Sequence, residues 1–567
     1  MLAQLKSLLS QHYAQTLNKD AATLQRLMES PKSGGHGHVA LPVFAWAKEF
    51  KKAPPVLAQE LAAQLSLSKP KGLASIEAVS GFVNFTFEPK FVQDMLVHDI
   101  LGQAGHVGYS DIGKGKKLLI DFSSPNVAKP MHIGHLRATV IGQALVNLAK
   151  SQGYDVIGLN HLGDWGVQFG KLAWAYMHWG KEYDFKNQPF ESLYAIYVRF
   201  HEEAEKNPDL EAEGSKVFKR LEDGDAEIKK LWDYFVDISL KDYQRIWDRL
   251  GVKHDLVRGE SFYNDRMKPV EEDLQKKGLL VESDGAMVVR LDEFDMPPCL
   301  IRKSDGASLY ATRDLASAIY RMNELKADLN LYVVGVDQTL HFRQVFRVLE
   351  KMGYPWVDKC HHIAFGMYRF KDARISTRKG TAIFLEDVLN KANEIAREVI
   401  QQKNPGLQNA DKVAEQVGTG AIIFNDLMND RVKNVDFDWD RALDFEGDSG
   451  PYVQYCGVRC QSLLRKYGKT VTGKIDMTMD APEEKELLRC LLNYQDTLKN
   501  AFESFKPHYV AGYLLELSHR FSQFFTKCRI IGEPPNVEAS RMTLVQMVLS
   551  VLIEGLKTLS IELPEAM

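Results

Sequence analysis

The run KPMHIGHLRATVIG, Lys129 to Gly142, sets two imidazoles three residues apart around a glycine, directly after a proline. On a helix His132 and His135 share one face, and Gly134 between them lets a ligand lie close to the backbone. The first turn of a helix offers free amide hydrogens and the positive end of the peptide dipole, which suits phosphate. Imidazoles aimed at one spot can donate hydrogen bonds to phosphoryl oxygens that gain charge in a transition state, each well-placed donor being worth about 3 kcal/mol. The combination reads as a cradle for a nucleotide. In isolation the same residues also suit two core histidines at a helix start, so the surroundings must decide.

Upstream, KKLLIDFSS (Lys116 to Ser124) reads as a short buried strand, and downstream the pattern turns helical, which puts the histidines on a strand-to-helix turn. From there to about residue 390, strand-like segments alternate with helical ones: YDVIGLNHL (Tyr154 to Leu162), GAMVVRL (Gly285 to Leu291), LNLYVVG (Leu329 to Gly335) and HHIAFGM (His361 to Met367). That alternation predicts a parallel α/β sheet. The charged, helical stretch at 181–280 reads as an insertion between two halves of the sheet. Ahead of it, the amphipathic MLAQLKSLLSQHYAQTL, the helix PPVLAQELAAQL (Pro54 to Leu65) and the alternating strand GFVNFTF (Gly81 to Phe87) predict a small α+β unit. SGGHGH (Ser33 to His38) reads as a flexible turn rather than a metal site. The last third is nearly all helical, with HYVAGYLLELSHRFSQFF (His508 to Phe525) a clear amphipathic example. The expected architecture is a multidomain α/β protein: an N-terminal α+β domain at 1–110, a Rossmann-like parallel-sheet catalytic domain at 111–395 carrying the insertion, and an all-α domain at 396–567.

A chain of 567 residues is too long for one core. With 45% hydrophobic and 26% charged residues and no apolar run near the roughly 20 residues of a membrane span, a soluble protein without membrane contact is expected. The opening helix lacks a signal peptide's apolar core. Among six cysteines only Cys456 and Cys460 lie close together, so neither a zinc site nor a disulfide framework is expected, and a reducing cytoplasm fits. A net charge of −4 offers no general attraction for DNA, so any polyanion must meet local patches.

The histidine run matches the HIGH signature of class I aminoacyl-tRNA synthetases, and its context resembles the arginyl-tRNA synthetase family. The resemblance rests on DFSSPNVAKPMHIGHLR, NHLGDWGVQFG (Asn160 to Gly170), KSDGASLYATRDLA (Lys303 to Ala316), VVGVDQTLHFRQVF (Val333 to Phe346), ARISTRKG (Ala373 to Gly380), FEGDSGPYVQYCGVR (Phe445 to Arg459) and the closing LSIELPEAM, and it spans essentially the whole chain. It implies formation of arginyl-adenylate from ATP and arginine, then transfer of the arginyl group to tRNA(Arg). Magnesium is expected to accompany the ATP as part of the substrate, with no tightly bound cofactor, and the protein is expected to be a monomer.

Selecting arginine requires a carboxylate in the plane of a guanidinium, a set of bonds a lysine ammonium cannot fill. Tyr310 and Asp314 lie four apart, on one face of a helical turn. By the family pattern these two and Gln338 hold the guanidinium, while Asp121, Ser123, Asn126 and His135 hold the other end of the amino acid. ATP falls to His132, Gly134 and His135 with Arg374, Ser376 and Arg378. That last run, RISTR, departs from the class KMSKS loop, since Thr377 stands where its second lysine would be. Lys129, just before the histidines, is expected to supply the missing cation as a third catalytic residue. In the last third Tyr452, Tyr455, Arg459 and Arg465 are candidate tRNA contacts, because RNA readers stack bases on aromatics and hold the backbone with cations. The N-terminal unit is implied to touch the outer corner of the tRNA. Two other readings stay open: a tRNA-binding module without catalysis, and a different nucleotidyltransferase acting on a small acid.

Overall fold

The computed structural model describes residues 1–31, 36–303, 310–370, 383–471, 473–477 and 479–567. They form two compact units, one of residues 1–111, 395–428 and 440–567, the other of 112–394 and 429–439.

The second unit is built on a five-stranded parallel sheet. Its strands are β1 (Lys117–Asp121), β2 (Asp155–Asn160), β3 (Leu256–Val257), β4 (Leu329–Tyr332) and β5 (Cys360–His362), in the spatial order β5-β4-β1-β2-β3. Leu118, Leu119 and Ile120 are fully buried, as expected for a central strand covered on both faces. Helix α1 (Ile133–Ser151) returns the chain from β1 to β2, whereas β4 lies on the other side of β1. The order of connections therefore reverses at β1. In open parallel sheets, ligands bind at that reversal, beyond the carboxyl ends of the strands.

Two sequence expectations are corrected. The segment at 285–291 is not part of this sheet: Ala286–Val289 pairs antiparallel with Leu280–Ser283 and Cys299–Arg302. A two-residue turn after Leu280–Ser283 makes a hairpin the nearest partner, and a short apolar run carries no signal of which sheet it joins. Conversely, β3 falls inside the stretch taken as helical insertion. Its Leu256 and Val257 pair with Leu159 and Asn160, directly after the long helix Ala226–Arg249.

In the first unit, Phe82–Phe87 is the middle strand of a three-stranded antiparallel sheet, flanked by Val39–Pro42 and Leu73–Val79. His38 is a structural histidine: its Nδ1 accepts the Phe87 amide hydrogen at 3.0 Å, and burial lowers its pKa to about 4. The C-terminal helices pack in the same unit. Lys6 pairs with Asp496 at 2.8 Å, the Gln495 amide donates to the Tyr109 carbonyl at 3.2 Å, and Gly108 lies against the Tyr494 ring. Helix Pro535–Thr558 is long and apolar enough to cross a membrane, but most of it is buried and it packs against helix Pro89–Leu101.

Candidate active site

The turn after β1 is strained and heavily braced. Ser123, Ser124 and Ala128 all hold positive φ, at 74°, 44° and 62°, which non-glycine residues adopt only when their surroundings enforce it. The bracing comes from one face of helix Ala226–Arg249, where Ser239, Tyr243 and Trp247 recur every four residues. Ser239 Oγ accepts the Ala128 amide at 3.0 Å, and Trp247 Nε1 donates to Ser123 Oγ at 3.0 Å. The Tyr243 hydroxyl lies 2.6 Å from the Asn126 carbonyl and 2.9 Å from that of Lys129. Asn126 lies against the next motif loop, so that a side chain at Gly163 would meet its Oδ1 at 2.1 Å.

His132 is the N-cap of α1. Its Nδ1 accepts from the Gly134 amide at 3.0 Å, and the Nδ1 of His135 accepts from the His132 amide at 3.1 Å. A ring nitrogen that accepts carries no proton, so each neutral imidazole holds its hydrogen on Nε2 and offers it as a donor. The rings lie 4.0 Å apart. Burial lowers the pKa of His132, with the nearby Lys129 charge adding to it. His135 falls to about 3 through burial and the neighbouring His132. Both are therefore neutral donors at physiological pH. The space a side chain would fill at Gly134 is taken by the His132 ring, whose Cε1 would lie 2.7 Å from it. Glycine is thus required first by the cap itself.

Lys129 is exposed, its ammonium 5.3 Å above the Tyr197 ring. Arg374, Ser376, Thr377 and Arg378 lie outside the described residues. The chain just after them is tied to the histidine turn: the Ile133 amide donates to the Ile383 carbonyl at 2.9 Å and the Leu385 amide to the Met131 carbonyl at 2.9 Å. Arg137, next in the motif, is buried and donates to the carbonyls of Gly366 and Lys433 at 2.7 and 2.8 Å.

Asp121, at the end of β1, is 6% exposed and paired with the buried Arg321 at 2.8 Å, and it also accepts from the Ser124 hydroxyl at 3.2 Å. The Ser123 hydroxyl lies between Thr139 and Trp247. Both side chains have protein partners before any ligand arrives. Tyr310 opens helix α2 (Tyr310–Ile319) and is 67% exposed. Asp314, one turn on, meets His341 in helix α3 (Thr339–Lys351), Nε2 to Oδ2 at 2.6 Å. Gln338 directly precedes α3 without a side-chain capping bond, is exposed, and donates to Asp337 at 3.3 Å. Behind them Glu260 faces Arg313 at 3.3 Å; burial raises its pKa to about 7 against the pull of that guanidinium.

His341, Arg321, Tyr243 and Trp247 escaped the sequence reading. Three of them left a trace: Tyr243 and Trp247 in the four-residue stripe with Ser239, and His341 one turn beyond Gln338. In the other unit, Tyr452, Tyr455 and Arg459 line a pocket of about 460 Å³ together with Lys403, Phe445 and Met567. Arg459 lies 4.8 Å over both the Tyr455 and Phe525 rings. Arg465 is absent from that lining and instead donates to the Glu565 carbonyl of the C-terminal tail at 3.2 Å.

A parallel sheet whose connections reverse at β1, with a histidine-capped helix following that strand, agrees with the catalytic domain of a class I aminoacyl-tRNA synthetase. The family model described as tRNA synthetases class I (R), catalytic domain, matches residues 94–439, with the DALR anticodon binding domain at 453–567 and the arginyl tRNA synthetase N terminal domain at 3–87. Relatives named arginine–tRNA ligase include those of Clostridium botulinum, 42% identical over 99% of this chain and 100% of the relative, and Clostridium kluyveri, 43% identical over the same shares. The structure is similar to Thermus thermophilus arginyl-tRNA synthetase, with a TM-score of 0.83 and 26% identity over 95% of this chain and 96% of that one. The chain belongs to the arginyl-tRNA synthetase family.

Proposed function

We infer that the protein is an aminoacyl-tRNA ligase that charges tRNA(Arg) with L-arginine at the expense of ATP. In the first step an arginine carboxylate oxygen attacks the α-phosphorus of ATP, taken as its magnesium complex, and pyrophosphate leaves. In the second a hydroxyl of the terminal ribose attacks the carbonyl carbon of the adenylate, and AMP leaves. The observation that carries this reading is the reciprocal cap of His132 and His135, which holds two neutral Nε2 donors on the turn after β1 with the Lys129 cation close enough to act on His132. Phosphoryl transfer asks a protein mainly for positioning and charge stabilisation, and these groups supply both.

Arg374, Ser376 and Arg378 join the ATP site in this reading. Tyr310, Asp314 and Gln338 take the guanidinium, while Asp121, Ser123, Asn126 and His135 take the α-amino and carboxylate end. Tyr452, Tyr455 and Arg459 take unpaired tRNA bases, and Arg465 supports them by holding the tail. The N-terminal domain contacts the outer corner of the tRNA. The protein acts as a monomer in the cytoplasm.

Arginine-dependent exchange between ATP and pyrophosphate, run with and without tRNA(Arg), tests the reading. Asp314→Asn is expected to raise the KM for arginine roughly ten- to a hundredfold, as for loss of a charge-assisted bond, with the KM for ATP little changed. Exchange supported equally by lysine, or an unchanged arginine KM, would remove the guanidinium assignment. Binding of tRNA without any exchange or charging would leave a module without catalysis.

A further inference from the structure

The bond between Asp314 and His341 joins the second turn of α2 to the first turn of α3, and 23% and 24% of the two side chains remain exposed. It therefore sits at an open edge of the site rather than in the core. Tyr310 precedes Asp314 by one turn and Gln338 precedes His341 by one turn, so this single contact ties together the two helix ends that carry the guanidinium-binding groups. Burial by itself would disfavour the Asp314 carboxylate; the bond and charge of His341, together with the charges of His161 and Arg321, outweigh it and hold the acid below its ordinary pKa.

We propose that His341 is a positioning residue for arginine: by donating Nε2–H to one oxygen of Asp314, it fixes the carboxylate plane against which the guanidinium lays its paired N–H groups. The proposal rests on the assignment of Asp314 to the guanidinium. An ionised carboxylate has about four lone-pair sites, of which the imidazole uses one, leaving room for a bidentate guanidinium. Without that bond the carboxylate torsion is broad, and each arginine must order it on binding. A lysine ammonium gains little from a fixed plane, because a point charge needs no paired acceptors in one plane. His341 accordingly favours arginine over lysine.

The test is aminoacylation of tRNA(Arg) by the full chain, with kcat and KM separated for arginine and for ATP in His341→Ala, His341→Gln, Asp314→Asn and the double variant of His341→Ala with Asp314→Asn. His341→Ala is expected to raise the arginine KM about tenfold, leaving kcat at saturating arginine and the KM for ATP within about twofold. His341→Gln, which keeps a donor at similar reach, should recover most of the loss. Adding His341→Ala to Asp314→Asn should raise the arginine KM no further, since the effect runs through the carboxylate. An arginine KM unchanged in His341→Ala while Asp314→Asn raises it overturns the proposal and leaves the guanidinium assignment standing. Full multiplication of the two losses in the double variant also overturns it. If Asp314→Asn itself leaves the KM unchanged, the assignment falls and takes the proposal with it. Should His341→Ala fail to fold, His341→Met fills the space without a donor and is held to the same outcomes.

Discussion

At the residue scale, each motif histidine has given its Nδ1 to a backbone amide, and that decides what it can do in catalysis: it donates from Nε2 and stays uncharged. The same fact makes His135 a sensor of acid unfolding. Its folded pKa of about 3 lies below the roughly 6.5 of a free imidazole, so between those values the unfolded chain binds a proton that the folded one refuses. Stability from the neutral form is complete above about pH 6.5 and is lost as the pH falls through the window towards about 3. Thermal midpoints measured across that range should drop steeply in the parent and less steeply in His135→Asn; parallel slopes would refute the account. Lys129 is a separate case, because its ammonium rests on Tyr197 close enough to bear on His132. Lys129→Ala is expected to slow single-turnover adenylate formation about a hundredfold, the loss of a charge partner worth ~3 kcal/mol, with little change in arginine binding. Adenylation at the parental rate would reduce Lys129 to a solvated charge.

At the element scale, the active turn depends on helix Ala226–Arg249, which lies outside every motif. Tyr243→Phe removes both bonds from the hydroxyl to the carbonyls of Asn126 and Lys129. The hydroxyl shares one proton between the two, and the Asn126 carbonyl keeps the Lys129 amide at 3.3 Å, so the loss is about 1–3 kcal/mol in all. A lower thermal midpoint is expected together with slower adenylation, because the strained turn that presents Lys129 and His132 loses its latch. A variant destabilised but adenylating at full rate would show that the latch serves the fold alone. Strands were legible in unequal measure at this scale. The apolar runs around β1, β2, β4 and β5 stand out, whereas β3 is two residues long and carries no alternation to read. The run at 285–291 was legible as a strand but not as to its partner, which lay only a turn away.

At the scale of the whole molecule, residues distant in sequence share one compact unit, the N-terminal α+β segment with the C-terminal helices. Removing residues 1–111 uncovers the face of helix Pro535–Thr558 that packs on helix Pro89–Leu101 and deprives Asp496 of Lys6. The remaining chain is expected to unfold several degrees lower and to be cut by protease within the uncovered helices. An unchanged midpoint would make the N-terminal segment an independent appendage. What the linear sequence by itself determined is the chemistry carried by short, contiguous motifs: the histidine pair and Lys129 on a strand-to-helix turn, the spacing of Tyr310 and Asp314, and the family these define. Such features depend on neighbours within one or two turns, which the chain order already supplies. Only the tertiary structure decided that Asp121 is held by Arg321, that Asp314 is held by His341, that Tyr243 latches the turn, and that the two ends of the chain pack together. Each of these joins residues tens to hundreds of positions apart, and no periodicity or propensity specifies which distant side chain a buried polar group will find.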